Sequence, residues 1–259
     1  MSYAMTPFTK SAAGAPPTLF ATEAAGLAWL AEAGGAEVVE VLDAAPDRLS
    51  LARLDISAAT AASAEAFGRA LLVTHRAGAP AFGAPPPQAP GPHGFIGPTA
   101  APLPMRYGNW LAWGAFFAEA RITPYLRLAQ DAGAIDHPGS EMIERLAARL
   151  AAGEFDDDEA PCRLHGDLWS GNLLWCRQGC VMIDPAAHGG HFLDDLAMLA
   201  LFGAPMLERI HGAYAEAAEL DSGWRQRLAL HQLYPLLVHA VLFGGGYAAR
   251  AVKIAKRFG

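Results

Sequence analysis

Cysteine is scarce in this 259-residue sequence: Cys162, Cys176 and Cys180 form an odd set without the spacing of a disulfide framework. That excludes a disulfide-stapled secreted scaffold and suits a reducing compartment. Cys176 and Cys180 flank a short turn and could lie close together, but two thiols make no complete zinc site, and half-buried strand positions explain them better. Basic charge is also in short supply. Nineteen Lys and Arg stand against 26 Asp and Glu, a net charge of −7, so neither nucleic acid nor an anionic membrane surface is expected as a partner. No run is apolar enough to suggest a membrane span. The best stretch, residues 231–249, contains two His, Gln232, Pro235 and three consecutive glycines, and it reads as a core helix stopping at Gly244. The first residues lack the basic start and long apolar core of a secretory leader, and no internal repeat is visible. The expectation is a cytoplasmic protein. With 53% hydrophobic residues it can bury a substantial core in one large domain or two unequal lobes.

The informative segment is residues 165–172, His-Gly-Asp-Leu-Trp-Ser-Gly-Asn, followed twelve residues after Asn172 by Asp184-Pro185. A base Asp, an Asn five residues on and a second Asp at a strand end are the layout of kinase-fold phosphoryl transfer. Gly166 and Gly171 let the loop turn tightly, so Asp167 can face an attacking hydroxyl while Asn172 faces a Mg²⁺ ion. Residues 173–176 and 180–183 read as two strands joined by Arg177-Gln178-Gly179, a hairpin that fixes the distance from Asn172 to Asp184. Mg²⁺ takes few protein oxygens, with phosphates and water completing its shell, so one Asn and one Asp suffice. His165 is expected to be a packed residue beneath the loop, and Asp195 to fasten that loop through hydrogen bonds. Trp169, two residues after the base, can stack on a sugar face or pack under the loop.

These residues resemble the fructosamine kinase (ketosamine 3-kinase) family, within the aminoglycoside phosphotransferase-like branch of the protein-kinase-like fold. The similarity lies in residues 165–172, where Trp-x-Gly-Asn follows the Asp. It extends through Ile183-Asp184-Pro185-Ala186, Asp195-Leu196-Ala197-Met198, Phe95-Ile96-Gly97-Pro98-Thr99, Phe116-Phe117 with Arg121, residues 233–237 with His239, and residues 243–247. The resemblance covers the chain from about Phe8 onward. It implies ATP-dependent phosphorylation of a sugar hydroxyl on a ketosamine, a glycated small amine or glycated protein. It also implies that Lys10, in Phe8-Thr9-Lys10, holds ATP phosphates and that Glu23 is its helical ion-pair partner. The family's glycine-rich strand pair ahead of the Phe-x-Lys strand has no counterpart in the seven residues before Phe8, none of which is Gly. A phosphotransferase of aminoglycoside or choline type, and a non-catalytic binding protein lacking the phosphate-covering loop, are the alternatives. The oligomeric state is unreadable.

The expected fold class is α+β: a bilobal, protein-kinase-like chain. A small, truncated β-rich N-lobe (residues 1–54) would bind nucleotide, and a larger, mainly helical C-lobe (residues 55–259) would carry catalysis and substrate. Periodicity predicts a helix over residues 23–33, strands over 36–42 and 49–54, and helices over 58–77, 109–132, 141–152, 194–202, 206–220, 224–243 and 247–256. The last strand of the N-lobe would lead into a hinge where adenine meets backbone. Residues 78–108, rich in Pro and Gly, read as a long loop that could wall the substrate cleft. The acidic run Asp156-Asp157-Asp158-Glu159 reads as a solvated turn. Asp167 is expected to keep an ordinary carboxylate pKa, because proton loss is late in a loose transition state.

Overall fold

The computed structural model describes residues 6–259, so residues 1–5 lie outside it, along with most of the segment where a glycine-rich strand pair was sought. The N-terminal part holds strand β1 (Phe8–Ser11), helix α1 (Leu19–Ala31), and strands β2 (Glu37–Val38), β3 (Val41–Ala45) and β4 (Arg48–Leu51). β1, β4 and β3 form an antiparallel sheet in that order, with Lys10 paired to Leu49. Leu49 and Leu51 point inward against Phe20 and Leu27 of α1, and these four side chains are nearly or wholly buried. Each contributes roughly 1.5–3 kcal/mol on burial, which is what holds α1 under so small a sheet.

The single strand expected over residues 36–42 is two strands, because the chain changes partner. β2 leaves the N-terminal sheet and pairs in parallel with β9 (Gly179–Met182), Glu37 opposite Val181 and Val38 opposite Met182. β9 is in turn the antiparallel partner of β8 (Leu173–Cys176), which forms the expected hairpin. Cys176 and Cys180 are both free and buried, and they join different apolar clusters.

The remainder is mainly helical: α2 (Ala61–Arg76), α3 (Trp113–Phe116), α4 (Thr123–Asp131), α5 (His137–Ala151), α6 (Phe192–Phe202), α7 (Leu207–Ala218), α8 (Trp224–His231), α9 (Leu233–Phe243) and α10 (Tyr247–Phe258). Thr60 and Ser63 form a reciprocal cap at the start of α2. His191 and Asp194 do the same for α6, which therefore begins two residues before the predicted start. Two expected long helices are broken. Residues 109–132 contain a π-helical stretch, Phe117–Ile122, between α3 and α4. The helix expected over 224–243 divides at Gln232, where the backbone amide of Leu236 still bonds to the Gln232 carbonyl.

Residues 78–108 are not structureless. β5 (His93–Ile96) and β6 (Leu103–Arg106) pair antiparallel through a turn containing Gly97 and Pro98. The acidic run is also only partly a solvated turn. Asp156 Oδ1 accepts the Gly114 amide at 2.6 Å, and Asp157 meets His191 Nε2 at 3.3 Å and Arg227 Nη1 at 3.1 Å. Sequence pattern could not show this, since the partners are distant in the chain. Strand β7 (Cys162–Leu164) pairs with β10 (His188–Gly190) and brings the two ends of the catalytic segment together. Among the described residues no helix is long and apolar enough to cross a membrane.

Candidate active site

The loop from β7 to β8 carries the predicted motif. His165 is fully buried, and both ring nitrogens are used: Nε2 donates to the Ile183 carbonyl at 2.8 Å, and Nδ1 accepts the Asp167 amide at 3.2 Å. A ring that donates on one side and accepts on the other is neutral, and burial holds its pKa below the ordinary histidine value. Asp195, in the first turn of α6, accepts the amides of His165 (2.8 Å) and Gly166 (2.9 Å). The same carboxylate meets His75 Nε2 at 3.2 Å, and His75 Nδ1 meets the Tyr214 hydroxyl at 2.8 Å. Burial by itself would raise the Asp195 pKa, but the hydrogen bond and charge of His75, with the Gly166 amide, hold it below the usual carboxylate range. Gly166 has φ +81°, and a β-carbon there would collide with the Ala186 carbonyl oxygen, so glycine is required.

Asn172 ends a 3₁₀ turn (Ser170–Asn172) and is held from both sides by backbone. Its amide bonds to the Trp169 carbonyl at 3.0 Å, and its carbonyl receives the Ile183 amide at 3.1 Å. Its side-chain Nδ2 donates to the Asp167 carbonyl (2.8 Å) and to Asp167 Oδ2 (3.1 Å), which leaves Oδ1 as its potential ligand atom. Asp184 follows the hairpin with φ +56°, a left-handed conformation that Asp tolerates better than most residues. Lys10 Nζ lies 2.8 Å from Glu23 Oε1 and 3.0 Å from Asp184 Oδ1. Burial opposes the lysine charge, but the two carboxylates outweigh it and hold the ammonium above its ordinary pKa.

Asp167 departs from the sequence expectation. Burial pushes its carboxyl up to about 7, with the Asn172 hydrogen bond pulling the other way and the charges of Asp184 and Asp195 adding to the rise.

Lys10, Glu23, Asp167, Trp169, Asn172 and Asp184 all line one cleft of about 270 Å³. Trp169 stands at its rim, 40% exposed, with its indole edge-on to Phe202. The chain brings together every residue singled out from sequence. The rest of the lining includes Thr22, the β5–β6 turn, Tyr107, Val238, His239, Leu242 and Phe243. The expectation that residues 78–108 could wall the cleft is met by Phe95–Thr99 and Tyr107, and His239 and Phe243 fall in stretches that carry the family resemblance, whereas Thr22, Val238 and Leu242 were missed. None of residues 24–94 lines the cleft, so the segment after β4, where a hinge was expected, is not part of its wall.

The donor set suits a hard divalent ion: one carboxylate, Asp184, and one amide oxygen, that of Asn172, with the Lys10 ammonium beside them. A solved aminoglycoside phosphotransferase shares the fold, with a TM-score of 0.58 at 15% identity, aligned over 91% of this chain and 82% of that one. Fold and site together define a phosphotransferase of the protein-kinase-like class. A more specific match is the model of the fructosamine kinase family, which fits residues 4–258, and the chain belongs to that family. A Thermobifida fusca crystal structure assigned as a fructosamine-3-kinase superposes with a TM-score of 0.87 at 45% identity, covering 96% of this chain and 84% of that one. A probable ketoamine kinase of Thermus thermophilus is 34% identical over 238 residues, 92% of this chain and 82% of the relative. A chloroplast protein-ribulosamine 3-kinase of Arabidopsis thaliana is 32% identical over 195 residues, 73% of this chain and 55% of that protein. The match to a probable ketoamine kinase of Enterococcus faecium likewise spans about half of that relative, 53%.

Proposed function

We propose that the chain transfers the γ-phosphate of ATP to a sugar hydroxyl of a ketosamine, the sugar adduct of a small amine or of a protein. The observation that carries this reading is the convergence of Lys10, Glu23, Asp167, Trp169, Asn172 and Asp184 on one cleft. Residues 1–54 serve as the nucleotide-binding lobe and residues 55–259 as the catalytic and acceptor-binding lobe. Asp184 and Asn172 would hold Mg²⁺, which when bound neutralises phosphate charge during transfer. Lys10 grips the nucleotide phosphates, and Glu23 aims it. Asp167 accepts the proton of the attacking hydroxyl, and its elevated pKa makes it a stronger base than a solvated aspartate. Trp169 lies against the sugar. The protein does little covalent work; positioning and charge neutralisation supply the rate.

The test is an assay of ATP-dependent mass gain on synthetic fructosamine and ribulosamine acceptors with Asp167→Asn beside the unaltered protein. The variant should fold and bind nucleotide normally while losing turnover by about 10²–10⁴-fold, the usual contribution of a positioned general base. Turnover within a few-fold of the parent would remove Asp167 from its role. An acceptor panel containing aminoglycosides and choline separates this reading from its nearest relatives.

A further inference from the structure

This inference rests on the proposed function and concerns which ketosamines the cleft accepts. Its charged lining residues are Lys10, Glu23, Asp167 and Asp184, all on the phosphoryl-transfer side. The ammonium of Lys10 is already shared between Glu23 and Asp184 at 2.8 and 3.0 Å, so no cation is left over for an acceptor. Across the cleft the wall is formed by Phe95, Ile96, Val238, Leu242 and Phe243, with Trp169 at the rim. The remaining titratable side chains of the lining are Tyr107, whose hydroxyl donates to the Ala187 carbonyl at 3.3 Å, and His239. The Nδ1 of His239 donates to the Pro235 carbonyl at 2.8 Å, its ring packs against Phe202 at a centroid distance of 4.4 Å, and burial holds its pKa below the ordinary value, which disfavours the charged ring. The hydroxyl-bearing residues of the lining, Thr22, Thr99 and Tyr107, add no charge either.

We infer that the amine carrier of the acceptor is recognised as a neutral substituent on an uncharged aromatic and aliphatic wall, and that a carboxylate close to the glycated nitrogen is selected against. An anion entering here would lose its hydration without meeting a counter-charge, and it would face the carboxylates of the transfer side. A sugar attached to an alkylamine, or to a lysine side chain whose own carboxyl is distant or in peptide linkage, avoids that cost. A sugar attached to the α-amino group of a free amino acid does not. The selection is a repulsive one, built from what the wall omits.

The deciding comparison is between two acceptors of nearly equal size, the ribulose adducts of glycinamide and of glycine, which differ by one carboxylate charge. The expected result is a kcat/KM for the glycinamide adduct about tenfold above that for the glycine adduct, carried mainly by KM. Phe243 is 61% exposed, so Phe243→Arg should fold. It should narrow the gap several-fold, raising kcat/KM for the glycine adduct relative to that for the glycinamide adduct, whatever it does to both in common. Equal kcat/KM for the two adducts, or a gap that Phe243→Arg leaves intact, would overturn the inference while the phosphotransfer reading stood. Turnover of neither adduct, with the alkylamine adduct also inert, would overturn the phosphotransfer reading and this inference with it.

Discussion

The two sides of the cleft are built to different standards. The catalytic loop is fastened by buried groups: Asp195 holds two of its amides, His165 bridges it to the end of β9, and Gly166 fits where no side chain could. Strand β1, which carries Lys10, is the edge strand of a three-stranded sheet, and three of its four residues are exposed. Its functional side chain is held in place mainly by the carboxylates of Glu23 and Asp184. The loop of the proposed base is therefore preformed by buried and part-buried hydrogen bonds, whereas the proposed phosphate grip depends on ion pairs that a nucleotide and its metal would rearrange.

The largest effect that tests this contrast is Asp195→Ala. It strands the His165 and Gly166 amides and the His75 ring in a buried site, and it should cost about 3–5 kcal/mol of unfolding free energy in urea. A loss below 1 kcal/mol would show that the loop is held by something else.

Acid should act on the same side of the cleft. Burial lowers the His188 pKa to about 3, so below its ordinary value near 6.5 the unfolded chain takes up a proton that the folded chain refuses. Stability contributed by a neutral, buried histidine is thus present above about pH 6.5 and falls as pH drops toward 3, by about 1.4 kcal/mol per unit. Asp167, raised to about 7, works the other way, because between about pH 7 and about 3.9 the folded chain holds a proton there that the unfolded chain releases, which offsets about one histidine. The net fall therefore comes from buried His165, His211 and His231, which shift in the same direction as His188. Asp195, held below the usual carboxylate range, keeps its contribution down to about pH 3.9 and loses it as pH falls further. Denaturant midpoints measured from pH 8 to pH 4.5 should be flat at first and decline through 6.5; a flat profile throughout would mean that these rings are hydrated. The smallest effect belongs to the other side. Phe8 is 52% exposed on β1, and Phe8→Thr should change stability by no more than about 0.5 kcal/mol.

Sequence made the floor legible and left the far wall mostly obscure. Asp167, Asn172 and Asp184 sit in one short stretch whose glycines and strand pattern dictate local geometry, so spacing alone could place them. His165 and Asp195 were readable as supports for the same reason. Thr22 and His239, by contrast, line one cleft from positions more than 200 residues apart, and the periodicity around either one does not say which cavity it faces. The β5–β6 hairpin was hidden because its Pro and Gly content mimics a loop. The rise of the Asp167 pKa was hidden because burial is a property of the folded loop and leaves no mark on the motif.

The parallel pairing of β2 with β9 has a consequence for motion. Glu37 and Val38 add a third strand to the hairpin that ends at Asp184, and the Val39 amide continues that ladder to the Met182 carbonyl at 3.1 Å. Any wide gaping of the small lobe would have to tear backbone bonds from the strand that positions Asp184. An opening that spares this ladder would have to carry α1 and the β1–β4–β3 sheet as a unit over the Asp184 hairpin, a drawer rather than a jaw.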